Sequence, residues 1–308
     1  MKIDPKFIAA VRQAKKPEDL FGLIQHAIEL EHATIPPYLC GYFTLKLDTN
    51  TDVGDIIRSV AVEEMLHMSI ACNLLLAIGG SPVINKPAFV PSYPESLPFG
   101  IGTQEEPDGS TFKIHLRKCS KAQVQDTFMK IEEPEEPIDI PDDVPGRLMT
   151  MHFDTIGAFY KFLGDAIKEM GNDIFVPGAY QMINPKWFPE NELFPIVDVD
   201  TALRAIDIIV DQGEGTGINP FDENGEPAHY YRFEEIIRGK RLVRTGNNAH
   251  PFAFSGDPVD FDEDSVWDMD ENPKIANYKP GSRSERMAIQ FSYSYTRALN
   301  ALHDAFNG

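Results

Sequence analysis

Apolar residues recur every three or four positions along five stretches of the chain, the period of helices that bury one face. Over 18–46, Leu20, Ile24, Ala27, Ile35 and Tyr38 share a face, and Glu31 sits among them. Glu18 and Asp19 suit the positive end of a helix dipole at its start. Pro36–Pro37 removes backbone donors inside this helix, which predicts a kink. Over 53–78 the buried face reads Ile57, Val60, Ala61, Glu64, Met68, Ala71, Leu75 and Ile78. Gly79–Gly80 and then Pro82 predict its stop. A third helix is expected over 148–170. A fourth starts at 200–212, breaks over 213–227 and resumes at "AHYYRFEEIIRG"; a last one covers "SRSERMAIQFSYSYTRALNALHDAF".

The intervals are of another kind. Residues 81–147 form a long insert between helices two and three, rich in proline, with one candidate strand in "STFKIHLRK" and a short helix in "SKAQVQDTFMKIEEPEEP". The acidic run "EEPEEPIDIPDD" reads as solvated surface, and 240–280 reads as a long polar loop. The fold class is therefore mainly α, in one domain over 1–308 with no internal repeat.

Composition narrows the function classes. The 308 residues carry a net charge of −20, which repels phosphate backbones and anionic lipid. Neither nucleic acid nor a membrane surface is an expected partner. Cys40, Cys72 and Cys119 are odd in number and widely spaced, which argues against a disulfide framework and fits a reducing cytoplasm. The N-terminal "MKIDPKFIAAVRQAKK" has no signal-like apolar core, and no run of about twenty apolar residues lacks charge.

The chemistry lies in the helices. Glu64 and His67 stand at i and i+3, so a carboxylate oxygen and an imidazole nitrogen reach one point from an otherwise apolar face. A buried salt-bridged pair or a hydrogen-bonded core histidine would also explain them. Glu31, the one acid on the apolar face of helix one, adds a second inward carboxylate. Two such groups in a core need a cation or a proton between them, and a metal supplies the first. Glu29 points to the Gln25 side, away from that face, and Glu63 stands one step from Glu64, placed to bond a ligand from outside.

At these residues a resemblance emerges. "HAIELEHATIPPYL", "RSVAVEEMLHMSIACNLLLAIGG", "PSYPESLP", "FMKIEEPEEP", "DTIGAFY", "DQGEG", "AHYYRF" and "LHDAFNG" run in order from about residue 20 to 308. Together they resemble the ferritin-like family of iminophenyl-pyruvate dimer synthase type, which includes domains of violacein and rebeccamycin pathway enzymes acting on 2-imino acids. The resemblance implies a ferritin-like helical bundle in which Glu31, Glu64, His67, Glu214 and His229 converge on iron, as a di-iron or mononuclear site, with manganese as the other metal. Glu226 is the alternative partner of His229. The family pattern would place an acid at position 158, where this chain has Ala158; His152 is a candidate substitute. Tyr38, one turn-pair beyond Glu31, is a catalytic candidate as hydrogen-bond donor or electron-transfer group, or a core residue.

The resemblance and the inward ligands together predict an oxidoreductase using O2 on a small amino-acid-derived substrate in secondary metabolism, with a homo-oligomer allowed. A ferroxidase or metal-binding protein, or a scaffold that has lost its metal, are the alternatives.

Overall fold

The computed structural model describes residues 3–103, 111–134, 138, 140, 155–213, 219–248 and 250–308. Asp4 caps α1 (Pro5–Gln13), accepting from the Lys6 backbone N–H at 3.0 Å. Two helices then form the centre, α2 (Glu18–Thr44) and α3 (Thr51–Ala77), packed along their lengths. Both are apolar over most of their circumference, which marks helices enclosed on several sides. The length and hydropathy of α3 would allow a membrane span, but it is the core helix of this bundle, with most of that stretch buried.

Helix α2 continues through Pro36 and Pro37. A proline leaves the carbonyl four residues earlier without its helical donor. At Pro37 that carbonyl belongs to Ala33, and the Tyr93 hydroxyl donates to it at 2.7 Å. The proline-rich insert thus completes the helix that the prolines would weaken.

Within the insert, Ser120 caps α4 (Lys121–Gln123), accepting from the Gln123 backbone N–H at 3.0 Å. A π turn at Val124–Phe128 joins it to α5 (Met129–Ile131), and the segment packs on α8 (His229–Arg238). The candidate strand at "STFKIHLRK" is reduced to a bridge between Glu95 and Ile114. Helix α6 (Ile156–Met170) starts at the Thr155 cap, and α7 (Val199–Gly213) lies against both α6 and α3. Glycine at φ 69° ends α8 at Gly239, a left-handed position that favours glycine.

One region differs from its expected character. The segment 240–258 is an antiparallel hairpin, β1 (Lys240–Asn247) with β2 (His250–Pro258), pairing Leu242 with Phe254. Its anchor is Glu235, which accepts from the Leu242 backbone N–H at 2.8 Å and pairs with Arg241 at 2.8 Å. Beyond it, buried Asn50 ties down the following loop by donating to the carbonyls of Asp262 and Ser265 at 3.1 and 2.9 Å. The chain ends in α9 (Arg283–Asn307), capped by Ser282.

The π turn meets α2 at one glycine. A Cβ on Gly41 would stand 2.9 Å from the tip of the Phe128 ring, which is itself packed on Tyr38 with centroids 4.9 Å apart. Helix propensity alone would make Gly41→Ala stabilising by roughly 1 kcal/mol. Overpacking outweighs it, so urea unfolding should show a net loss of about 1–2 kcal/mol. A gain in stability would contradict this packing.

Candidate metal centre

Glu31, Glu64, Glu132, His67 and His229 are at most 8% exposed, and all five lie inside an apolar core. They come from four places: Glu31 from α2, Glu64 and His67 from α3, Glu132 just after α5, and His229 at the first turn of α8. Glu31, Glu64 and His67 bring ligand atoms within 4.8 Å of one another, and so do Glu64, Glu132 and His229. Glu64 belongs to both trios.

Each histidine turns Nδ1 inward and bonds outward through Nε2. His67 Nδ1 lies 3.9 Å from Glu31 and 3.8 Å from Glu64, while Nε2 meets the Gln212 side-chain oxygen at 2.9 Å. His229 Nδ1 lies 2.9 Å from Glu64 and 3.5 Å from Glu132. Its Nε2 meets Glu63 at 3.0 Å, and the other Glu63 oxygen takes Arg232 at 2.6 Å. Arg232 also donates to the Pro227 carbonyl at 2.6 Å, fixing the turn that leads into α8. Such outer partners set the tautomer and aim of a ligating imidazole.

Two buried tyrosines hold two of the carboxylates. Tyr160 on α6 donates to Glu31 Oε1 at 2.5 Å, and Tyr38 on α2 donates to Glu132 Oε1. Thr34 donates to Glu64 Oε2 at 3.0 Å.

The electrostatics are unbalanced. Burial, and then the charge on Glu64, push the Glu31 carboxyl well above its ordinary range; the same two causes raise Glu132. At Glu64 burial acts upward too, but His229 and His67 outweigh it and hold the group low. At Glu63 burial is overcome by His229 and Arg232, which leave the carboxyl at about 2. Burial lowers His67, whereas the surrounding carboxylates raise His229 well above the usual imidazole value against its own burial. Three acids in one dry space cannot all ionise without added positive charge.

A metal fits this donor set. The Nδ1 of His229 is buried with no hydrogen-bond partner of acceptable geometry, although a carboxylate oxygen is 2.9 Å away, so this nitrogen and the carboxylates face one point without satisfying each other. Carboxylate and imidazole donors suit iron and manganese. Beside them opens a narrow cleft walled by Leu30, Ile131, Ile156, Ile209 and Val210.

Four of the expected ligands, Glu31, Glu64, His67 and His229, meet here, and Tyr38 stands next to them. Glu214 and His152 lie outside the described residues; Gly213, just before Glu214, lines the cleft. Glu226 is exposed on the loop before α8, its backbone paired with Asp222, and does not enter the site. Position 158 is where the family pattern would place an acid. Ala158 is half-buried, with its N–H taken by the Thr155 cap at 3.2 Å, and α6 contributes Tyr160 instead. The remaining carboxylate is Glu132, from the acidic run read as solvated surface. One signal pointed to it: Glu132 is four residues after Phe128, in register with the apolar face of its segment.

A helical core that gathers glutamates and histidines around one shared carboxylate defines a bundle of the carboxylate-metal class. Residues 24–238 match the Ferritin-like family, and the chain belongs to that family. Dichlorochromopyrrolate synthase from Lentzea aerocolonigenes is 25% identical over 219 residues, 63% of this chain and 19% of that protein. The chain thus spans about a fifth of that relative's length. A crystal structure of a ferritin like protein from Caulobacter vibrioides superposes with a TM-score of 0.59 at 24% identity, covering 94% of this chain and 86% of that one; it shows the shared fold.

The Glu63 link generates a test. Glu63→Gln keeps the shape but weakens the hold on His229, and should lower metal affinity by about 10–100-fold, read by competition against a chelator. Unchanged affinity would mean that His229 is aimed without it.

Proposed function

We propose that this protein is a dinuclear non-haem metal oxidase, with iron or manganese held by Glu31, Glu64, His67, Glu132 and His229, acting with O2 on a small amino-acid-derived acid of the 2-imino or 2-oxo type. The observation that carries the dinuclear reading is Glu64, shared by two groups of buried donors. Glu214, implied by the resemblance, is part of the proposal, since the neighbouring Gly213 lines the same cleft. The enzymatic reading draws on the cleft and on the relative named as a synthase. Fold likeness alone does not fix a reaction.

Metal in this position would supply one-electron chemistry toward dioxygen. The rest falls to the chain itself. The apolar wall of Leu30, Ile131, Ile156, Ile209 and Val210 excludes water and accommodates the hydrocarbon part of a substrate. Tyr160 holds a proton at Glu31 Oε1 and Tyr38 holds one at Glu132 Oε1, so each carboxylate keeps a fixed orientation and a neutral partner. Burial raises both phenols well above their ordinary value, which keeps them protonated donors at neutral pH.

The test combines elemental analysis with oxygen uptake. Protein from iron-supplemented cells should hold about two metal ions per chain, and Glu132→Ala about one, because only one trio contains Glu132. The loaded protein should consume O2 when a 2-imino acid is generated in situ. Oxygen uptake with ferrous iron alone and none with the organic acid would favour a ferroxidase. Metal-free protein whose stability ignores Glu64→Ala/His67→Ala would overturn the metal reading.

A further inference from the structure

The first half of α9 contradicts its own environment. Every residue from 289 to 294 is exposed, and Met287, Ile289, Phe291 and Tyr293 are 56, 49, 68 and 65% accessible. The second half is anchored: Leu299 and Phe306 are buried, Tyr295 bonds buried His32 at 2.7 Å, and Asn307 donates to the Pro82 carbonyl at 2.9 Å.

The run "IQFSYSYT" is a poor helix former by itself, being made of β-branched, aromatic and hydroxyl residues. Its apolar positions alternate, so a helix displays them on more than one side. Met287, Phe291 and Tyr295 descend one side at steps of four toward the body, with Phe291 and Tyr295 stacked at 5.8 Å; Ile289 and Tyr293 point elsewhere. A helix so exposed and so weak in propensity draws its stability from packing.

Charge tells what covers it. Between 283 and 297 there are Arg283, Arg286 and Arg297 against Glu285 alone, a local excess of two positive charges on a chain of −20. Two such helices repel each other, so α9 does not pair with its own copy. The complementary surface is the segment 257–271, "DPVDFDEDSVWDMDE", with eight acids and no base, of which only Asp268 and Glu271 form ion pairs, with Lys118 and Arg117, among the described residues. At its centre Trp267, 61% accessible, pairs along the end of α2 through the Thr44 carbonyl at 2.7 Å, and exposed Phe43 and Leu47 lie on the same end.

We propose that α9 docks on a second copy of this chain, its Met287–Phe291 side on the Phe43–Leu47–Trp267 patch and its arginines on the acidic segment, reciprocally about a two-fold axis. Each half of such an isologous contact is repeated by symmetry. At roughly 100 Å² per exposed side chain, the five apolar side chains with Arg286 and Arg297, taken twice, cover about 1,400 Å², within the range of a stable interface. The contact is independent of the metal centre.

Sedimentation velocity on the full chain tests it. A dimer with Kd near or below about 1 μM is expected. Met287→Ser/Phe291→Ser should weaken it by about 100-fold or more, and Trp267→Ser should act in the same direction. Arg286→Glu/Arg297→Glu should weaken it and reverse its sensitivity to salt. Circular dichroism and metal content should match wild type in each variant, since none of these side chains touches the buried core donors. A wild-type chain that stays monomeric at tens of micromolar would overturn the proposal, because the covering partner would not be a second copy. A dimer indifferent to the α9 substitutions, or one broken by them but not by Trp267→Ser, would equally overturn the docking as stated.

Discussion

The structure depends on one electrostatic constraint: five ionisable side chains, three acids and two imidazoles, share a dry volume inside a helical core. Each would cost several kcal/mol if buried alone. The arrangement holds because each group is tied to a second one. Tyr160 and Tyr38 hold Glu31 and Glu132, Thr34 holds Glu64, and Gln212 and Glu63 hold the two histidines by their outer nitrogens. These bonds orient the donors but leave the charge unbalanced, and a bound cation is what the imbalance calls for. A polar network of this kind is destabilising when half satisfied, which makes the centre a condition on the fold.

Every irregular feature of the fold contributes to that constraint. The prolines of α2 free the Ala33 carbonyl, and Tyr93 of the insert takes it, fixing the insert against the helix that carries Glu31. A π turn, a geometry common at functional sites, leads the insert to Glu132 just after α5. The break between α7 and α8 allows His229 to start a helix of its own, and Arg232, one turn later, secures that start through the Pro227 carbonyl and Glu63. What looks like elaboration between bundle helices is the means by which the last donors arrive.

The sequence made the helical faces legible because burial on one side leaves a period. Glu31, Glu64 and His67 stood out as polar residues on apolar faces, and Glu63 as their neighbour. His229 as a ligand entered with the family resemblance, as did the ferritin-like form of the bundle. Glu132 was missed because it opens an acidic, proline-rich run, and composition averaged over the run hides one buried member. Ala158 showed that helix α6 brings no acid at that position, and only three-dimensional packing shows that Glu132 of another segment joins the donors. Tyr160 and Gln212 were invisible for a simpler reason, since a hydrogen bond between residues 129 or 145 positions apart leaves no local pattern. The β1–β2 hairpin was lost in a stretch whose polar outer face resembles a loop.

If Glu64 joins two metal positions, the metals themselves should reveal it. Anomalous diffraction at the iron edge, from crystals of protein loaded with iron, would locate them. Two peaks roughly 3.5–4 Å apart are expected, one beside Glu31 and His67, the other beside Glu132 and His229, with Glu64 between them. A single peak, or two peaks away from Glu64, would contradict the bridging role.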